Sequence, residues 1–142
     1  MPRAPTLSVA ILLAAAMGCG ADATGPVGPE PEACPTNKVS LAVGPGTLPQ
    51  VTWTPRCHMG WLTVLDTATG TIVWNVAGGG NHLPSGLRYG GPLPSEATEF
   101  RAAQPLQPGR AYTLIASRLV CEDPVREILC SLLEAAGATF TP

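Results

Sequence analysis

Five cysteines, Cys19, Cys34, Cys57, Cys121 and Cys130, hold most of the reactive chemistry in this 142-residue chain. Four of them could ligate zinc, but no pair has the C-x-x-C spacing that such sites use. Disulfides are the better reading, provided the chain reaches an oxidising compartment. Cys57-His58 is the one Cys–His neighbour pair. Adjacent residues point apart on a strand or loop, and a nucleophile needs a base in contact with it, so the pair does not predict catalysis. Asn81-His82 in a Gly-rich stretch reads as loop polarity. Glu96 and Glu99, three apart on a strand, face opposite sides and make no acid–base couple. Gly78-Gly79-Gly80 lacks the helix and Lys of a phosphate loop. Trp61, Trp74 and Tyr89 would form a sugar-stacking platform if exposed, or part of a packed sheet if buried. No catalytic residue, metal site or cofactor is expected.

Charge and composition narrow the field further. The net charge is −2 and charged residues make up 13%, which speaks against a nucleic-acid footprint or a basic membrane patch. Gly and Pro number 16 each, a punctuation that suits short strands and turns.

The amino terminus predicts export. Arg3 precedes a short apolar run, Leu7 to Ala16. Such a run spans roughly 15 Å as helix, too short for a ~30 Å hydrocarbon core, so residues 1–18 read as a signal peptide. Ala16-Met17-Gly18-Cys19 resembles a bacterial lipobox, with Ala16 where such boxes usually carry Leu. The resemblance implies that Cys19 becomes the lipidated first residue. Its partner is then a membrane, and its residence the bacterial envelope. Gly20 in place of the Asp that marks inner-membrane retention points to the outer membrane. The alternative is an ordinary secretory signal that leaves Cys19 a spare thiol. Lipidation resolves the odd cysteine count, since four remain to pair. Residues 19–37, rich in Pro and Gly, read as a tether.

About 105 residues follow, enough for one domain over 38–142. Strands are expected at 39–43, 50–54, 61–65, 71–76, 98–102, 111–120 and 138–141, with a short edge strand within 86–90. From Asp123 to Gly137 one helix is expected, with Asp123 as N-cap, Pro124 at its first position and Gly137 as its stop. Val125, Ile128, Leu129, Leu132 and Leu133 would form its apolar stripe.

Val51-x-Trp53-x-Pro55, and Leu106 followed by Pro108-Gly109 and Tyr112, resemble the second and sixth strands of a fibronectin type III domain. The resemblance implies an all-β sandwich of about seven strands, immunoglobulin-like in class, with the helix inserted before the last strand. It puts all four remaining cysteines at one end of the sandwich. It also makes Cys57 and Cys121 neighbours, which favours Cys57–Cys121 and Cys34–Cys130. Cys121–Cys130 is disfavoured because the helix would separate its members by ~10 Å of rise. The expected function is a lipid-anchored envelope protein presenting a non-catalytic binding or structural module, with an envelope protein or glycan as partner. The alternative is a carbohydrate-binding module built on Trp61, Trp74 and Tyr89.

Overall fold

The computed structural model describes residues 32–35, 38–123 and 128–142. The sequence-predicted signal peptide, Cys19 and most of the tether lie outside these residues. Eight strands follow one another: β1 (Ser40–Val43), β2 (Gln50–Thr54), β3 (Trp61–Asp66), β4 (Ile72–Gly78), β5 (Leu87–Arg88), β6 (Ala97–Arg101), β7 (Tyr112–Asp123) and β8 (Ile128–Phe140). They form two antiparallel sheets, β1-β2-β5 and β6-β4-β3-β7-β8. There is no helix among the described residues, and so none long and apolar enough to cross a membrane.

Period-two alternation sets which face is buried. Val51 and Trp53 of β2 point inward, opposite Leu62 and Val64 of β3 and Leu114 and Ala116 of β7. Trp74 and Tyr89 fill the same interior with ring centroids 5.2 Å apart at 58°. The core thus joins the two sheets as a β-sandwich.

One corner locks β7 to the β3–β4 hairpin. Leu106 is buried, Gly109 turns at φ 80°, and the Gln107 amide donates to Tyr112 Oη at 3.0 Å. Asp66, 5% exposed, accepts from the Ala68 and Thr69 amides at 3.0 Å each. Its other oxygen pairs with Arg110.

The expected helix is overturned. Residues 128–137 are strand, paired with β7 from Asp123↔Ile128 to Ile115↔Gly137. Pro124 and Val125 lie outside the described residues. The i, i+3, i+4 leucine spacing suits a helix, but β7 offers a long unpaired edge. Pairing along that edge outweighs a local periodicity. One bulge interrupts the ladder: Ala116 faces Ala136 and Ser117 faces Glu134, so Ala135 is the extra residue.

Candidate functional site

The two disulfides organise one end of the sandwich. Cys34 bonds Cys57 with Cα atoms 4.8 Å apart, and Cys121 bonds Cys130 at 4.0 Å. All four cysteines are therefore bridged, but the favoured pairing is corrected. Residues 32–35 run parallel to the β2–β3 connection, with Ala33 bridging to His58. The Cys34 amide donates to the His58 carbonyl at 2.9 Å, and the His58 amide to the Glu32 carbonyl at 2.9 Å. That run lays Cys34 against Cys57. Cys121 and Cys130 stand directly opposite each other on paired strands, where the predicted helix would have held them apart. Because the Cys57 sulfur is bonded, Cys57-His58 offers no thiolate for a base to activate.

Beyond Ser117, the last β7 residue paired with β3, β7 and β8 continue as a two-stranded arm. Its root is clamped by Asn81, whose Nδ2 donates to the Leu119 carbonyl at 2.9 Å. The Leu119 amide donates back to Asn81 Oδ1 at 2.8 Å. Both Leu119 groups thus turn away from β8, making Leu119–Leu132 a non-hydrogen-bonded pair, the kind in which Cα atoms come closest. Two residues further along, Cys121–Cys130 has the same character and is suited to a bridge. Gly60 makes room for the clamp. A Cβ there would stand 2.8 Å from the Leu119 nitrogen and 2.9 Å from Asn81 Oδ1. On the other side Arg118 Nη1 donates to the Cys34 carbonyl at 3.2 Å. The two disulfide-bonded segments therefore meet at the arm's root.

The arm carries apolar surface into solvent. Leu129 is 68% exposed, and Leu132 and Leu133 are each 45% exposed. Leu129 also holds φ 52°, a left-handed conformation that bulky residues avoid. Sequence spacing alone puts these leucines on a helix stripe. No signal short of the β7–β8 register places them on an arm. Asn81, which reads in sequence as loop polarity, has its role fixed only by the fold.

The aromatic platform is overturned for two of its three members. Trp74 is fully buried and Tyr89 is 2% exposed. Tyr89 Oη donates to the Gln104 carbonyl at 2.6 Å. Burial pushes its hydroxyl up to about 12, with Tyr112 and Glu99 adding to the rise and the Gln104 contact opposing it. Trp61 is half-buried on the outer sheet face. Its partner there is Phe100, which no motif in the sequence singles out, with centroids 5.0 Å apart at 18°. Trp61 pairs with Ala77 and Trp74 with Val64, which puts the two tryptophans on opposite faces. The stack turns its ring faces toward each other, so it offers no side-by-side platform.

A cleft of about 510 Å³ lies beside the Cys34–Cys57 bridge, lined by Trp53, Arg56, His58 and Ser85 among others. Ser85 Oγ already accepts the Trp53 amide at 2.8 Å, and the cleft brings no nucleophile and base into contact. His82 Nδ1 approaches Glu96 at 3.4 Å on the surface. No group of three or more metal-ligating side chains occurs among the described residues. No family model, curated protein or solved structure matches the chain.

Proposed function

We propose that this chain is an exported bacterial lipoprotein, held to a membrane through Cys19, which presents a fibronectin type III-like β-sandwich as a non-catalytic binding or structural module. The observation that carries the reading is cysteine parity. Four of the five cysteines are consumed in two disulfides, which suit an oxidising compartment. That leaves Cys19, directly after Ala16-Met17-Gly18 and the apolar run that precedes it. Two or three acyl chains on Cys19 would anchor stably where one would be marginal.

The domain assignment is supported by the grouping of β1, β2 and β5 against β4, β3, β7 and β8, with β6 as an added edge. It is supported too by the Tyr112 hydroxyl, which bonds backbone five residues upstream, as the tyrosine of such a corner does. Mass spectrometry of the mature amino-terminal peptide from native membranes tests the anchor. A diacyl or triacyl mass on Cys19 is expected. An unmodified Cys19, or cleavage elsewhere, would sink it.

A further inference from the structure

The geometry points to the β7–β8 arm as a membrane-contact element, which lays Leu129, Leu132 and Leu133 into the interface of the bilayer to which the chain is tethered. This inference rests on the lipid-anchored reading above. Its first support is position. The described chain starts at Glu32, whose carbonyl is held by the His58 amide. Two residues later the Cys34 carbonyl accepts from Arg118 at the arm's root. The tether therefore joins the domain at the end from which the arm projects, and the β1–β2 turn lies at the opposite end. Cys19 is thirteen residues before Glu32, so the link can extend at most roughly 45 Å. At that reach the bilayer is present at an effective concentration near millimolar, and a weak contact suffices to hold the arm on it.

The second support is the arm itself. Leu129 is 68% exposed at φ 52°, where Gly or Asn would relax the backbone and a polar side chain would suit water. A large apolar group kept against both preferences marks a contact surface. Leu132 sits beside Leu119 on one face and Leu133 lies on the other, so the arm is apolar on both sides, as an element that enters an interface must be. Cys121–Cys130 staples it, and the backbone groups along its two outer edges keep it in the hydrated interface and out of the hydrocarbon core. Glu122 and Glu134 flank the leucines. The contact is thus apolar rather than electrostatic, and salt should leave it unchanged.

The test uses the full chain carrying Leu129→Trp, recovered from bacterial membranes and reconstituted in phosphatidylcholine vesicles with or without brominated acyl chains. Bromine should quench at least half of the emission that the new tryptophan adds over the native chain, equally in low and high salt. Leu48→Trp, in the β1–β2 turn, should not be quenched. Equal emission from Leu129→Trp in both vesicle types overturns the inference, as does an arm-to-arm crosslink between two copies in place of quenching. The amino-terminal peptide mass of the same sample reports the anchor separately. Acylated but unquenched protein removes the arm and leaves the anchor. Quenched but unacylated protein does the reverse.

Discussion

At the scale of single residues, Asp66 ties two turns together with one carboxylate. Burial alone would raise its pKa, but the Thr69 amide, the Arg110 guanidinium and the Thr69 hydroxyl outweigh burial and hold it below the ordinary carboxylate range. The folded-state value is therefore the lower of the two, and the unfolded chain takes up the proton first as pH falls. The stabilisation is complete above the ordinary carboxylate range, and is lost from about pH 5 downward as pH falls through the lowered value. Asp66→Asn should lower the urea midpoint at pH 7 and flatten its fall between about pH 5 and 2. An unchanged acid limb would mean that another carboxylate dominates. Tyr89 behaves differently. With its hydroxyl pushed up to about 12, it stays a hydrogen-bond donor at every physiological pH.

At the scale of elements, the arm depends on Asn81 more than on its own propensity. Asn81→Ala would leave the partly buried Leu119 amide and carbonyl unpaired, at a cost of about 2 kcal/mol. Exchange of the Leu119 amide should then quicken by roughly 30-fold, while core amides such as those of Leu62 and Leu114 keep their protection. Equal loss everywhere would show that the arm and sandwich open together. The same elements show what the sequence can say. Val51-Thr52-Trp53 alternates so cleanly that strand and buried face follow from spacing alone, whereas Trp61 to Leu65 reads as a strand with apolar residues on both faces. The spacing of Ile128, Leu129, Leu132 and Leu133 could not decide between helix and strand. The deciding fact is the partner strand β7, which sets Cys130 against Cys121 and Leu132 against Leu119. The cysteines share one end, as the strand count implied, but their partners follow from the run of residues 32–35 alongside His58. That run has no periodicity to read. Nor do Trp74 and Tyr89 reveal in sequence that they face the interior together, since the Gly-rich chain from Gly78 to Gly86 lies between them.

For the whole molecule, the disulfides form a large part of the stability. Loop closure over 23 residues gives about 3.4 kcal/mol for Cys34–Cys57, and over 9 residues about 2.6 kcal/mol for Cys121–Cys130. Domains of this size hold only about 5–15 kcal/mol in all. Replacing Cys34 and Cys57 by Ser should therefore cost more than replacing Cys121 and Cys130, and losing both bridges should leave the fold marginal at about 37 °C. Denaturant midpoints of the three variants check the order; a larger loss from the Cys121–Cys130 pair would reverse it. One further property follows from the bulge at Ala135. β8 is a thirteen-residue strand at the edge of its sheet, and an uninterrupted edge of that length would be a template for adding strands from other copies. The extra residue bends the strand and breaks its hydrogen-bonding rhythm midway. Neither half then offers a long straight rim, and the molecule carries its own guard against growing into fibres.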